Sequence, residues 1–148
     1  MGMAKSRLKV MCLVWAAWIF GSSCTLITRQ QFVTTASTAT HINQQAVATT
    51  WESYWWVFVK GYHVLEFTVL TLLLIYAFDR LKRQPLLAGA LSLAYAASDE
   101  WHQTFVPHRG GHVSDVMIDG IGVVIALAVA VWIGQRKAKR LESHPNHA

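Results

Sequence analysis

Ten polar side chains in this sequence have the types and spacing to do chemistry. They are Lys60, His63 and Glu66, then Asp99, Glu100, His102 and Gln103, then Arg109, and finally Asp115 and Asp119. His63 and Glu66 are three residues apart, Asp99 and Gln103 four apart, and Asp115 and Asp119 four apart, so on helices each pair shares a face. A histidine flanked by carboxylates is suited to proton transfer near neutral pH, with Glu66, Asp99 or Glu100 tuning His63 or His102. Lys60 and Arg109 are suited to holding a phosphate or carboxylate, Arg109 through its planar two-pronged fork. Three other readings use the same residues. His63, Glu66, Asp99, His102 and Asp119 offer mixed nitrogen and oxygen ligands for a metal, although no tight metal signature is present. His108 and His112 straddle two glycines and do not form a helical pair. A chain of Asp, Glu and His can also relay protons. Finally, the whole set can be an internal ion-pair network that only fixes packing. Nothing in the sequence points to a cofactor.

The elements that position these groups are apolar runs. The chain has 148 residues, of which 53% are hydrophobic and 14% charged, whereas a soluble domain carries about 25% charged residues. This is the composition of an all-α membrane protein of one domain. Four spans are predicted, at residues 10–27, 61–78, 85–103 and 116–134, each close to the ~20 residues a bilayer crossing needs. Residues 28–50 are rich in Thr, Gln, Ala and Ser without helical or strand period, and read as an outer polar loop between the first two spans. Trp51, Tyr54, Trp55, Phe58 and Tyr62 then recur at helical spacing, as in an interfacial aromatic belt. Pro85 suits the first turn of the third span. Residues 79–84 form a short charged turn, and the chain after residue 134 is a basic tail.

Sidedness follows from the basic residues. Lys5, Arg7, Lys9, Arg80, Lys82, Arg83, Arg136, Lys137, Lys139 and Arg140 fall on one side of the four spans, and only Arg29, Lys60 and Arg109 on the other. The positive-inside rule therefore puts both termini in the cytoplasm of a multi-pass cell-membrane protein. The net charge of +5 comes from short clusters between apolar runs, which orient helices and meet anionic lipid rather than nucleic acid. Lys5 to Cys24 also has the layout of a lipoprotein-like leader. The apolar run continues to Ile27, however, and is read as a retained helix. Cys12 and Cys24 lie about 18 Å apart along one helix, too far to bridge.

With this orientation all ten polar groups reach one level, in or just under the outer headgroup region. Five acids there (Glu66, Asp99, Glu100, Asp115, Asp119) face two cations, Lys60 and Arg109. Some carboxylates are then protonated, or His63 and His102 are charged, or a cation binds. A proton pathway needs polar groups across the full depth, and the inner halves of the spans are apolar or hydroxylic. Gly122 shares a face with Asp119 and lets another helix approach closely. Ion pairs alone add little to stability, so the sequence favours handling of an anionic lipid or lipid-linked envelope precursor over packing.

Three blocks carry a family resemblance: Lys60-Gly-Tyr-His63-Val-Leu-Glu66-Phe67, then Ser98-Asp99-Glu100-Trp-His102-Gln103-Thr-Phe105-Val106-Pro107-His108-Arg109, then Asp115-Val-Met-Ile-Asp119-Gly120-Ile-Gly122. Together they resemble the VanZ-like family, whose blocks read K-x-x-H-x-x-E-Y, D-E-x-H-Q-x-F-V-P-G-R and D-V-x-x-N/D-x-x-G. The aromatic-rich first span ending in Ser22-Ser23 also fits. The sequence departs at Phe67, where tyrosine is usual, and at His108, where glycine is usual. The resemblance implies about four helices and a link to glycopeptide (teicoplanin) resistance. It implies no particular reaction.

Overall fold

Long stretches of Leu, Val, Ala and Ile without interior proline favour helix, and the computed structural model describes five helices over residues 2–24, 29–78, 84–107 and 109–143. They are α1 (Gly2–Ser23), α2 (Arg29–Thr40), α3 (Gln44–Ala77), α4 (Gln84–Gln103) and α5 (Val113–Ser143). The all-helical expectation holds. Met1, residues 25–27 of the first predicted span, Thr28, residues 79–83 of the predicted charged turn, His108 and the last five residues lie outside the described residues.

The predicted polar loop at 28–50 is wrong. That segment is α2 followed by the first two turns of α3. Its period was hidden because the buried positions are small or hydroxylic: Val33 and Ser37, four apart, are the covered residues of α2. Phe32 packs on Trp51 of α3, with ring centroids 4.1 Å apart. The threonines satisfy their own hydroxyls by bonding back one turn, as Thr38 does to Thr34 O (2.8 Å) and Thr49 to Gln45 O (2.9 Å). Such bonds make hydroxyl residues compatible with a helix interior. The break between α2 and α3 is local. His41 has φ of 57°, the left-handed conformation that ends helices, and the Asn43 side chain caps α3 by accepting from Gln45 N–H (2.7 Å).

The second predicted span is therefore only the C-terminal half of a 34-residue helix. At ~1.5 Å per residue, α3 is about 50 Å long, well beyond a ~30 Å hydrocarbon layer. Among the described residues two helices are long and apolar enough to cross a membrane, those at 44–77 and 113–140. The four predicted spans thus reduce to two that meet this standard on composition. α1 carries Lys5, Arg7 and Lys9 within its described length, and α4 carries Asp99 and Glu100.

α3 is central and packs against each of the other four helices; α4 also meets α1 and α5. Side chains of increasing number on α3 meet side chains of increasing number on α5, so these two run parallel. α1 and α4 run opposite to them and bring their C-termini to the same end. The core contains Ile19, Phe67, Leu70 and Ala96, with Trp15, Leu74, Tyr95 and Val116 around it. Away from the C-termini of α1 and α4 the seams are built of small residues. Ala88, Gly89, Ser92 and Ala96 line the buried face of α4, the arrangement that lets helices approach closely in lipid.

Candidate functional site: a buried polar cluster at one end of the bundle

The parallel pair α3 and α5 is joined by a ladder. Lys60 and Asp115 form an ion pair at the rim, where both side chains keep some exposure. One turn further in, His63 Nδ1 lies 3.3 Å from Asp119 Oδ1, although the two are not aligned as a hydrogen bond. Asp119 is completely buried and His63 nearly so. Because Nδ1 turns to the carboxylate, Nε2 is the ring nitrogen directed away from it, the orientation in which an aspartate positions a histidine for acid–base work. The next rung is Gly122. A Cβ there would overlap the carbonyl oxygen of Val64 and lie 3.0 Å from Thr68 N, so the close approach expected of this glycine is present. Thr68 Oγ1 donates both to Val64 O (2.7 Å) and across to Gly122 O (3.1 Å).

A second node forms where α1 ends. Ser22 Oγ donates to Glu66 Oε1 (3.1 Å) on α3, and Ser23 Oγ donates to Asp99 Oδ2 (2.6 Å) on α4. Gln103, one turn after Asp99, donates to the same oxygen at 2.8 Å. Arg109 closes the node from the loop, its guanidinium donating to the backbone carbonyls of Ser23 (2.6 Å) and Ser22 (3.3 Å). Carbonyls at a helix C-terminus lack internal partners, and a cation there also meets the negative end of the helix dipole. Trp15 Nε1 to Glu66 O (2.9 Å) and Tyr95 Oη to Ala16 O (2.7 Å) fix α1 against α3 and α4 further along.

The loop after α4 returns over the cluster. His112 N–H donates to Glu100 Oε2 (2.9 Å). Gly111 permits this, since a Cβ there would overlap Glu100 O and press on Thr104 Cγ2 at 2.8 Å.

The structure therefore brings Lys60, His63, Glu66, Asp99, Glu100, Gln103, Arg109, Asp115 and Asp119 to one end. His102 lies at the same end but turns its ring from these residues onto Phe20 of α1, with centroids 4.5 Å apart. Ser22 and Ser23 belong to the site although the sequence did not nominate them as site residues. Their only signal was two adjacent hydroxyls closing an aromatic-rich apolar run. Among the described residues no three His, Cys, Asp or Glu side chains gather as a metal-ligand set, so the mixed ligands considered for a metal do not converge as one. Cys12 and Cys24 are free thiols. An open depression beside Ser37, His41 and Gln44 at the α2–α3 turn is separate from the cluster.

Chemically, the end of the bundle offers an aspartate-oriented histidine, carboxylates from three helices, and a lysine at the rim. No curated protein and no solved structure matches the chain. The family model described as VanZ/LLP1 matches residues 8–134, a stretch that holds most of α1, the ladder, the serine node and the returning loop together. On that match the chain belongs to the VanZ/LLP1 family.

Proposed function

We propose that this VanZ-family chain is a multi-pass membrane protein whose polar end faces outward and binds or processes an anionic lipid or lipid-linked envelope precursor. The observation that carries this reading is the ladder of Lys60–Asp115 above His63–Asp119, a cation at the rim directly over a buried, carboxylate-held imidazole. Lys60 has three ammonium donors and can share its charge between Asp115 and an incoming anion. His63 is then the proton-transferring group, with Asp119 holding its ring.

Four crossings are supported by what α1 and α4 show outside. Leu13 is 72% exposed and Leu86 69%, while Glu66, Thr71, Ser92 and Asp119 are inside. Apolar surface of this extent calls for a nonaqueous surrounding or a partner. The ten-to-three division of Lys and Arg supports cytoplasmic termini on the positive-inside rule. Cysteine-accessibility labelling should then report Thr38 and Gly110 from outside and Lys82 from inside; labelling of Lys82 from outside would sink the topology.

The test of the site is a glycopeptide-susceptibility assay with matched expression, in keeping with a link to teicoplanin resistance. His63→Ala, Glu66→Gln and Asp99→Asn should each abolish the phenotype while abundance in the membrane stays near wild type. The second reading is a structural network, favoured by Arg109 on the α1 carbonyls and by the Ser23–Asp99–Gln103 bonds. A parallel fall of abundance and phenotype across the three variants would select it.

A further inference from the structure

Buried polar atoms are nearly always hydrogen-bonded, so the ones left over describe what a ligand must supply. At the polar end, six buried side-chain atoms have no hydrogen-bond partner: Asp99 Oδ1, Glu100 Oε1, both carboxylate oxygens of Asp119, His63 Nδ1 and His102 Nδ1. Four of the six are carboxylate oxygens, which accept when ionised. The donors near them are directed elsewhere. Ser23 and Gln103 both serve Asp99 Oδ2. Ser22 serves Glu66, the His112 amide serves Glu100 Oε2, Lys60 pairs with Asp115, and Arg109 reaches the α1 carbonyls. Asp99 and Glu100 each have one oxygen served and one bare; Asp119, with no exposed surface, has Oδ1 facing His63 Nδ1 at 3.3 Å without an aligned hydrogen bond, and Oδ2 bare.

The unmet capacity is thus acceptor capacity. A bare phosphate or carboxylate would place more acceptors against it. We infer that the headgroup taken at this end carries hydrogen-bond donors beside its anion, hydroxyl or ammonium groups that reach the bare oxygens of Asp119, Asp99 and Glu100. The inference rests on the anionic-lipid reading above and adds the chemistry of the group beyond the anion. The ladder gives the layout: the anion sits at Lys60, and the donor group lies one turn deeper, about 5 Å along the helices. That is a few bonds from a phosphodiester to a terminal hydroxyl or ammonium.

The experiment compares lipids that share acyl chains and differ in the headgroup. Native mass spectrometry on the purified full chain would measure retention of phosphatidylglycerol, phosphatidylethanolamine and phosphatidylmethanol. Phosphatidylmethanol has the anionic phosphodiester of phosphatidylglycerol without its hydroxyls. Retention of phosphatidylglycerol or phosphatidylethanolamine should exceed that of phosphatidylmethanol by about tenfold, equivalent to about 1.4 kcal/mol. The one of the two that leads identifies the donor as hydroxyl or ammonium. Asp119→Asn should narrow this ratio, and Lys60→Gln should lower phosphatidylglycerol and phosphatidylmethanol together and leave their ratio unchanged. Both variants must run as wild type in gel filtration; if Asp119→Asn does not, Glu100→Gln takes its place. Equal, Lys60-dependent retention of phosphatidylglycerol and phosphatidylmethanol overturns the donor inference and leaves the anionic-lipid reading standing. Retention of none of the lipids overturns both. A preference that ignores the Asp119 and Glu100 substitutions overturns the assignment to this cluster.

Discussion

The two halves of the bundle are held together by different means. In the half away from the cluster, α3, α4 and α5 meet through small side chains. A Cβ at Gly89 would stand 3.4 Å from Val123 Cγ1, in ordinary contact, and among the described residues the buried polar link there is Thr71 Oγ1 to Ser92 Oγ at 2.9 Å, with Gln84 Oε1 the one buried polar atom left unpartnered. In the half with the cluster, the same helices surround Glu66, Asp99, Glu100 and Asp119, with several oxygens unpartnered. Among the described residues no charged side chain is buried in the first half, so these helices pack there without one. Buried charges contribute little net stability compared with well-packed apolar residues, and unpartnered ones cost stability. The contrast separates what the fold requires from what the cluster adds, and places the functional reading on the second.

That contrast can be broken or sharpened by substitution. The largest effect is expected at Gly122, the residue where the two halves meet. Gly122→Val would drive a side chain into the α3 backbone at Val64 and Thr68. Overpacking typically costs 1–3 kcal/mol, occasionally more, and with backbone as the obstacle we expect about 3 kcal/mol or more. Thermal unfolding in detergent should show a sharply lowered midpoint or no monodisperse protein at all. A stable Gly122→Val variant would mean that α3 and α5 do not pack in this register.

Next in size is Arg109→Lys. One guanidinium nitrogen, Nη1, donates to both adjacent carbonyls of α1; a lysine keeps the charge but must reach that point on a shorter stem, without the other guanidinium N–H groups. Most of the phenotype in the susceptibility assay should be lost, whereas Lys60→Arg, which keeps a positive donor facing Asp115, should be milder. Full activity of Arg109→Lys would show that charge alone suffices there.

A smaller effect is expected at Ser23→Ala. Asp99 Oδ2 would keep Gln103 but lose its shorter bond. A hydrogen bond to a charged group contributes roughly 1.5–3 kcal/mol, part of which Gln103 retains, so about 1 kcal/mol should appear in denaturation. The smallest belongs to the opposite half. Thr71→Val removes the hydroxyl pair with Ser92, and side-chain hydrogen bonds between membrane helices average about 0.6 kcal/mol. The phenotype should be unchanged. A loss of phenotype at Thr71 larger than at Ser23 would reverse the comparison.

Much of the architecture was legible because helical periodicity and charge spacing are local. The α4 boundary at Gln103 followed from the apolar run plus its polar last turn, and the convergence of Lys60, His63, Asp99, Asp115 and Asp119 followed from counting helix ends. α2 was not legible. Its buried face uses Val33 and Ser37, and hydroxyl and alanine residues carry almost no apolar signal. α3 was cut short for the same reason, since its first two turns carry polar and small residues.

By itself the sequence determined an all-helical chain, the identities of the polar residues, and the helix faces they share, since backbone geometry fixes residues three and four apart on one side. Only the tertiary structure decided who meets whom. It paired His63 with Asp119 and Lys60 with Asp115, sent Arg109 to the end of α1, brought Ser22 and Ser23 into the site, and turned His102 onto Phe20. These partnerships depend on the rotation and depth of one helix against the next. Those are set where backbones touch, as at Gly122 against Val64, through contacts between residues more than fifty positions apart that no local pattern records.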